Sequence, residues 1–291
     1  MGQSLKDKVC LVTGANAGIG RETARGLAQE GATVVMAARN RSKGEEAVAD
    51  VKETSGNDKV ELLELDLASL ASVRAAAKTF LERHDRLDLL INNAGLILGD
   101  RRTTADGFES TFGINHLGHF EFTRLLLDRI KESAPARIIN LASDAHRTSK
   151  GLDFDDLMVE RRPYKGMYVY GDSKLANILF TRELSRRLEG SDVVTHAVHP
   201  GVVRTGFARD GDVKGALGFL VKLAGPFLLT PTDGAATSLY VALSDDAGKT
   251  TGEYWARKTR KTPRKPAQDD AAAKRLWEVS EQLIEAAAPP A

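Results

Sequence analysis

The sequence predicts an α/β fold, a doubly wound parallel sheet of about seven strands with helices on both faces. Short apolar runs rich in β-branched residues alternate along the chain with longer segments of helical periodicity. The predicted strands are nearly continuous apolar runs, which is typical of strands that are covered on both faces. Because no internal repeat and no linker-like stretch interrupts this alternation, we expect one domain over residues 1–291.

The first half of the chain pairs each strand with a following helix. Its predicted elements are strand 9–14, helix 18–31, strand 32–39, helix 43–56, strand 60–67 and helix 69–84. Gly31 is expected to end the first helix, because glycine adopts the left-handed conformation that often follows a helix. Ser69 is expected to be the N-cap of the third helix, since its hydroxyl can accept a backbone N–H.

The second half continues the alternation with longer insertions. Its predicted elements are strand 87–95, helical segment 103–131, strand 136–143, helix 170–188, strand 193–201, helix 232–243, strand 252–256 and helix 271–288. Two segments break the pattern, the polar segment 144–166 and the apolar, glycine-rich segment 204–230. Insertions at strand ends often hold substrates, so we expect both to shape a pocket and 204–230 to contribute an apolar lid.

Composition excludes several classes of protein. The formal net charge of +1 gives no global attraction to nucleic acid or to an anionic membrane. The chain contains no run of about 20 apolar residues, so no membrane span is predicted. The single cysteine, Cys10, permits no intramolecular disulfide, and we expect a cytoplasmic protein. The C-terminal tail 257–291 begins with a basic stretch, 257–265, that is predicted to be solvated surface because no aromatic residues interleave it.

A glycine-rich loop follows the first predicted strand and leads into the first helix. Its sequence, TGANAGIG, places Gly14, Gly18 and Gly20 in the pattern GxxxGxG rather than the common GxGxxG. Glycine lets the main chain approach a phosphate closely, and a helix N-terminus offers free N–H groups and a positive dipole end. A strand–loop–helix unit of this kind predicts a dinucleotide site, although glycines alone are also found in purely structural turns.

The end of the second strand indicates which dinucleotide is preferred. An acidic residue about 20 positions after the glycines binds the adenosine ribose and favours NAD. Here Ala38 stands near that position and Arg39 follows it. A guanidinium can bind a 2′-phosphate with two hydrogen bonds, so we expect NADP(H) to be preferred over NAD(H).

Tyr170 and Lys174 lie four residues apart in a predicted helix, and therefore on one helix face. A phenol has an ordinary pKa of about 10, which limits proton exchange at neutral pH. A neighbouring ammonium group and an oxidised nicotinamide would both favour the phenolate, so we expect the pKa of Tyr170 to be lowered. The pair is then suited to acid–base catalysis near neutral pH.

The ordered set TGANAGIG, NNAG, Asn115, Ser143, YGDSK and HPGVVRT resembles the short-chain dehydrogenase/reductase family over residues 6–285. The segments TGANAGIGRETARGLA, DSKLANILFTREL, HPGVVRTG and KRLWEVS are most similar to its retinol dehydrogenase and WW-domain oxidoreductase branch. The resemblance implies a Rossmann fold and a carbonyl reductase or alcohol dehydrogenase. The implied reaction is hydride transfer between the nicotinamide C4 and a carbonyl or alcohol carbon. The apolar character of the expected lid 204–230 indicates a lipophilic small molecule as the substrate.

The resemblance also implies roles for individual residues. The residues expected along the cofactor are Gly14, Asn16, Gly18, Ile19 and Gly20 at the pyrophosphate, Asp66 and Leu67 at the adenine, Asn93, Ala94 and Gly95 along its length, and Pro200, Gly201, Val203 and Thr205 at the nicotinamide. Tyr170 is implied as the general acid and base, and Ser143 as the group that polarises the substrate oxygen. Lys174 is expected to bond the nicotinamide ribose, and Asn115 to hold a water that links Lys174 to solvent.

Several alternatives remain open at this stage. A protein that binds NADP(H) as a sensor without turnover would also need the glycine loop, but not both Tyr170 and Lys174. His116 and His119 have a spacing that metal ligands use, yet no third ligand is visible, so packing or hydrogen bonding is expected. Ser143 lacks the GxSxG context of a hydrolase, and double-bond reduction would need a cysteine near the pocket. Relatives commonly dimerise through the Tyr170 helix and the helix before it, so the resemblance allows a homodimer.

Overall fold

The computed structural model describes residues 5–202 and 229–287, which form an eight-stranded sheet in the order β3-β2-β1-β4-β5-β6-β7-β8. Its strands are β1 (Val9–Thr13), β2 (Thr33–Ala38), β3 (Val60–Glu64), β4 (Leu89–Asn92), β5 (Ala136–Leu141), β6 (Val193–His199), β7 (Glu253–Ala256) and β8 (Thr259–Lys261). The first seven are parallel and β8 is antiparallel. The doubly wound fold class is therefore confirmed. Val203, Thr205 and nearly all of the expected lid 204–230 lie outside the described residues.

Helices cover both faces of the sheet. They are α1 (Gly18–Gln29), α2 (Arg41–Ser55), α3 (Leu70–Arg83), α4 (Ser110–Phe112), α5 (Gly118–Glu132), α6 (Gly166–Arg187), α7 (Pro231–Leu243), α8 (Asp245–Gly248) and α9 (Asp270–Ala286). A π-helical turn, Gly113–Leu117, joins α4 to α5, and short 3₁₀ turns lie at Asp144–Thr148 and Lys265–Gln268. None of the helices in the described ranges is long and apolar enough to cross a membrane.

Alternation along the strands divides the apolar side chains between two cores. Leu11, Leu90 and Ile138 point to the face covered by α3, α5, α6 and α9, where Phe80, Phe120, Phe180 and Trp277 are buried. The intervening residues, such as Val12 and Ile91, face α1, α2 and α7 on the other side. The sheet is thus buried on both faces, as the continuous apolar runs predicted.

Strand order creates the crevice in which a ligand can bind. β1 pairs with β2 on one side and with β4 on the other, so the chain reverses its direction of winding between β1 and β4. In open α/β sheets the carboxyl ends of the strands at such a switch point form the usual binding crevice. The glycine loop follows β1 at this point.

Two local differences from the sequence prediction have physical causes. The stretch 257–265 contains an eighth strand, β8, which pairs with β7 after a turn at Arg257 and Lys258, two residues with positive φ. All three β8 residues are exposed, so the strand has no apolar alternation to reveal it. Helix α6 begins at Gly166 rather than at Tyr170, because Gly166 lets the helix start against the Leu98 carbonyl, 2.0 Å from where a Cβ would lie.

Candidate active site

The glycine loop is built by close backbone packing. Gly14 has φ +64° and Gly18 has φ +56°, values that glycine adopts without strain. A Cβ on Gly20 would lie 2.4 Å from the Gly14 carbonyl oxygen and 2.5 Å from Asn93 Nδ2. The loop leads into α1, whose N-cap Ala17 makes no side-chain capping bond. The first N–H groups of α1 thus have no side-chain cap, which is the arrangement that anions use at helix N-termini.

Asn93 and Thr13 fasten this loop to the end of β4. The Asn93 side chain donates a hydrogen bond to the Thr13 carbonyl (2.7 Å). The Thr13 hydroxyl accepts the N–H groups of Asn93 (2.9 Å) and Ala94 (3.0 Å). Asn93 therefore supports the loop from behind, in addition to its predicted place along the cofactor. Thr13 was not predicted as a site residue. The one feature of the sequence that could have indicated it is a hydroxyl side chain at the end of a predicted buried strand.

Asn115 lies in the π-helical turn and is fully buried. Its side chain holds both backbone groups of Leu96, accepting from the N–H (2.8 Å) and donating to the carbonyl (2.9 Å). It also donates to Ser173 Oγ on α6 (3.0 Å). A Cβ on Gly95 would lie 3.1 Å from Asn115 Oδ1 and 3.3 Å from Lys174 Nζ, so a side chain at residue 95 would crowd both groups.

Tyr170, Lys174 and Ser143 converge at the end of β5. Ser143 lies beside the Tyr170 hydroxyl, where its side chain favours the phenolate form. Lys174 Nζ lies 5.5 Å from the centroid of the Tyr170 ring and donates to the Leu141 carbonyl (3.0 Å). Ser143 is also the N-cap of a 3₁₀ turn, where its Oγ accepts the Ala145 N–H (3.1 Å). The structure thus brings together the four residues predicted for catalysis, Asn115 included.

Burial shifts the pKa values of Tyr170 and Lys174 in opposite directions. It raises the pKa of Tyr170 to about 12, although the hydrogen bond from Ser143 opposes the shift. It lowers the pKa of Lys174 to about 8, because a buried ammonium loses its hydration. The sequence predicted a lowered pKa for Tyr170. The protein's own groups instead favour a protonated phenol, since desolvation outweighs the opposing effect of Ser143.

The predicted adenosine side lies at the ends of β2 and β3. Ala38 is buried at the end of β2, and Arg39, the next residue, is exposed. Within the described ranges Arg39 forms no ion pair, whereas Arg41 is paired with Glu45 (2.9 Å) and Glu64 (3.1 Å). Asp66 Oδ1 accepts the Ala68 N–H (3.0 Å) in a half-buried position. Leu67 is buried against the turn, where a Cβ on Gly118 would lie 2.6 Å from its carbonyl oxygen.

The other side of the crevice is formed by the residues after β5 and β6. Pro200 and Gly201 follow β6, and Gly201 has φ +95°. His199 lies next to Asp144, which accepts the Tyr254 hydroxyl (3.0 Å) and thereby ties the Ser143 turn to β7. Asn177, on α6, donates to the same Leu141 carbonyl as Lys174 and was not predicted. Its signal is weak, because a polar residue on an apolar helix face is also explained by packing.

His116 and His119 are bound to protein groups rather than arranged around a shared metal site. His116 Nε2 contacts Ser280 Oγ (2.9 Å), and His119 Nε2 contacts Thr13 Oγ1 (2.8 Å). The parts of the chain described by the structure contain no cluster of three His, Cys, Asp or Glu side chains that could hold a metal ion. Cys10 is buried within β1, where desolvation raises the pKa of its thiol.

Comparison with known proteins identifies the family to which this architecture belongs. A family model described as short chain dehydrogenase matches residues 8–153, from β1 to the polar segment after Ser143. The chain belongs to the short-chain dehydrogenases. Retinol dehydrogenase 12 from Mus musculus is 46% identical over 277 residues, which cover 95% of this chain and 86% of that protein. The short-chain dehydrogenase is thus a member of the retinol dehydrogenase branch.

Solved structures agree with this assignment. The crystal structure of an uncharacterized protein from Mycobacterium paratuberculosis is 36% identical, with a TM-score of 0.79 over 98% of this chain and 96% of that one. The active-site complex of Pseudomonas aeruginosa RhlG with NADP is 27% identical, with a TM-score of 0.69 over 87% and 96% of the two chains. The short-chain dehydrogenase is therefore an oxidoreductase that acts on alcohol or carbonyl groups by hydride transfer with a nicotinamide cofactor.

Proposed function

We propose that this short-chain dehydrogenase reduces carbonyl groups, and oxidises the corresponding alcohols, of apolar small molecules with NADP(H), using Tyr170 as the proton donor and acceptor. The observation that carries the proposal is the buried cluster at the end of β5. There Ser143 lies beside the Tyr170 hydroxyl, and Lys174 Nζ lies 5.5 Å from the centroid of the Tyr170 ring.

A nicotinamide dinucleotide fits the residues around this cluster. The uncapped N-terminus of α1 and the glycines at positive φ suit a pyrophosphate. Gly95 leaves space beside Asn115 and Lys174 that a Cβ would fill. The residues that would hold the cofactor are those predicted, with Gly14, Gly18 and Gly20 at the pyrophosphate and Asn93, Ala94 and Gly95 along the crevice. The chemistry supplied by the bound cofactor is donation of hydride in reduction and acceptance of hydride in oxidation.

The protein's part in reduction is to supply one proton and to stabilise one charge. Tyr170 is protonated at neutral pH, because a phenol has an ordinary pKa of about 10 and burial raises that of Tyr170 further, so its hydroxyl can donate a proton to the carbonyl oxygen. Ser143 can donate a hydrogen bond to the same oxygen and polarise the carbonyl before proton transfer. The Lys174 ammonium then stabilises the phenolate that remains. Oxidation uses the same groups in reverse.

The preference for NADP rests on charge at the end of β2. Arg39 is exposed and forms no ion pair within the described residues, so its guanidinium is available to a 2′-phosphate. Ala38 places no carboxylate where the adenosine ribose of NAD would be bound. The neighbouring Arg41 is engaged by Glu45 and Glu64 and serves as a matched comparison.

Arg39→Ala should lower the ratio of kcat/KM for NADPH to that for NADH by roughly tenfold or more, since a charge-assisted hydrogen bond contributes about 1.5–3 kcal/mol. Arg41→Ala should change this ratio much less, because Arg41 is already paired. Steady-state kinetics with both cofactors measures the two ratios. An equal loss in both variants, or no loss in Arg39→Ala, would contradict the role given to Arg39.

Label transfer separates turnover from a sensor role. The protein is incubated with NADPH that carries deuterium at the transferred C4 position, together with a panel of apolar aldehydes and ketones. We expect one deuterium at the carbinol carbon of the alcohol product. Saturable NADPH binding without label transfer to any panel compound would instead favour the sensor. Tyr240→Phe, which removes a phenol hydroxyl in α7 outside the crevice, controls for loss of a tyrosine and should transfer label as the unmodified protein does.

A further inference from the structure

His119 connects two parts of the crevice that are far apart in sequence. The ring lies in α5, one turn after Asn115, and is almost fully buried. Its Nε2 lies 2.8 Å from the Thr13 hydroxyl at the end of β1, and its Nδ1 lies 3.2 Å from the Asn115 carbonyl oxygen. One imidazole thus spans from the glycine-loop strand to the π-helical turn.

The surrounding hydrogen bonds fix which ring nitrogen carries the proton. The Thr13 hydroxyl oxygen already accepts two N–H groups, from Asn93 and Ala94. With both lone pairs used, its hydrogen is left to donate to His119 Nε2. Nε2 is then the acceptor, so Nδ1 carries the proton and donates to the Asn115 carbonyl. Only a neutral, Nδ1-protonated ring satisfies the hydrogen bonds that link Thr13, His119 and the Asn115 carbonyl.

The environment also disfavours a charged ring. Burial is the main cause, and the nearby Lys174 ammonium adds to it, so that the pKa of His119 falls to about 3. A proton on Nε2 would point at the Thr13 hydroxyl and break the link to β1. His119 therefore acts as a fixed, neutral connector over the whole range of pH in which the enzyme is expected to work.

We propose that His119 is a positioning residue for the reaction, which holds the turn bearing Asn115 in register with the Thr13–Asn93–Ala94 edge of the crevice. This inference rests on the proposed function. The turn matters because Asn115 Oδ1 and Lys174 Nζ both border the space at Gly95. A turn released from β1 would let Asn115 move against Gly95 and Lys174, and displacements of about 1 Å can cost a hundredfold in rate.

His116 lies next to Asn115 in the π-helical turn and provides a matched comparison for His119. It is equally buried, but its Nε2 is bonded to Ser280 of α9 rather than to a residue of β1. Ser280 Oγ donates to the Leu276 carbonyl (2.7 Å), so it accepts from His116. His116 therefore fastens the turn to α9, whereas His119 fastens it to β1. Loss of either histidine should affect stability, but only loss of His119 should affect proton transfer.

The kinetic test compares His119→Phe, His119→Gln and His116→Gln. Phenylalanine keeps an aromatic ring but makes neither hydrogen bond, while glutamine keeps one donor and one acceptor. We expect His119→Phe to lower kcat roughly tenfold to hundredfold, with the NADPH Kd changed less than about threefold, and to shift the pH dependence of kcat. His119→Gln should recover much of the loss, and His116→Gln should keep the wild-type pH profile. A folded His119→Phe variant with wild-type kcat and pH profile would overturn the proposal.

A second measurement does not depend on turnover. Nitrogen-15 NMR of the ¹⁵N-histidine-labelled protein, assigned by comparison with His119→Gln, reports which ring nitrogen of His119 is protonated. We expect a neutral ring with the proton on Nδ1 at pH 7 and still at pH 5.5. A proton on Nε2, or an imidazolium at pH 7, would contradict the proposed link from Thr13 through His119 to the Asn115 carbonyl. If no panel compound is turned over, the proposed function fails, but the NMR result still decides the arrangement of His119.

Discussion

Tyr170 and Lys174 are one helical turn apart and carry opposite pKa changes from a single cause. Desolvation favours the neutral form of each, which is the acid form for the phenol and the base form for the amine. Reduction needs the protonated phenol, which is already the form of an ordinary tyrosine at neutral pH and which burial favours further. Reduction also needs a cation near the phenolate that forms, and Lys174 provides one only while it is protonated.

This balance predicts how reduction depends on pH. The pKa of Lys174 is about 8, so its ammonium is lost as the pH rises through that value, and kcat for reduction should fall above about pH 8. Lys174→Met should have a strongly reduced kcat that no longer falls between pH 7 and pH 9. Stopped-flow measurement of single-turnover NADPH oxidation across this range tests both statements. A wild-type rate that stays level to pH 9 would contradict the assignment of this cation to Lys174.

Individual residues also show what a sequence can and cannot predict. Gly14, Ser143, Tyr170 and Lys174 were predicted because motifs name them. Thr13 was missed, and His119 was interpreted only as a packing or hydrogen-bonding residue, because their significance lies in a contact across 106 positions of the chain. Likewise, the motif could not predict the pKa of Tyr170, which depends on how completely the fold removes water from the ring.

At the scale of elements, helix α9 is held by aromatic packing against α5 and α6. The Trp277 ring centroid lies 4.8 Å from that of Phe120 and 5.8 Å from that of Phe180. The Arg187 guanidinium lies over the same indole at 4.2 Å. The sequence predicted this helix at 271–288. Strand β8 was missed because an exposed edge strand has no apolar pattern.

Removing the indole should therefore loosen α9. Trp277→Ala is expected to lower the free energy of unfolding by about 3–5 kcal/mol, the usual cost of truncating a buried tryptophan. Lys274→Ala, on the exposed face of the same helix, should change it by no more than about 0.5 kcal/mol. Urea denaturation followed by circular dichroism provides both values. A loss below about 1 kcal/mol in Trp277→Ala would show that α9 contributes little to the body of the fold.

At the scale of the whole molecule, buried histidines link stability to pH. Burial lowers the pKa of His116 and of His119 to about 3, and that of His196 to about 4. In the unfolded chain each has a pKa of about 6.5. Below that value the unfolded state binds more protons than the folded state, so stability is lost as the pH falls from about 6.5 towards the folded values.

Each of these histidines should cost about 2 kcal/mol of stability when the pH is lowered from 7.5 to 5, since 1.5 pH units below the unfolded pKa corresponds to that amount. The free energy of unfolding from urea titrations at pH 7.5 and pH 5 gives the total. His196 is remote from the crevice. His196→Gln should reduce the difference between the free energies of unfolding at pH 7.5 and pH 5 by about 2 kcal/mol, the amount expected for one histidine. Equal stability at both pH values would contradict the buried, neutral state of these rings.

The order of strands in the sheet was predicted only in outline. Alternation of strands and helices implied a parallel, doubly wound sheet, and the glycine loop implied a crevice at the end of β1. The antiparallel edge and the π-helical turn could not be derived in this way, because both are set by contacts between distant segments. The turn is the more consequential omission, since it bears Asn115 and leads directly into α5, where His119 lies one helical turn later.

The measurement that tests the central claim most directly is single-turnover reduction by Tyr170→Phe, with NADPH affinity measured in parallel by fluorescence. Phenylalanine keeps the ring but removes the only proton that the proposal transfers from the protein to substrate. We expect the rate of NADPH oxidation to fall by at least a hundredfold, with the NADPH Kd changed less than about threefold. A variant that binds NADPH and reduces carbonyl substrates at close to the wild-type rate would contradict the role proposed for Tyr170.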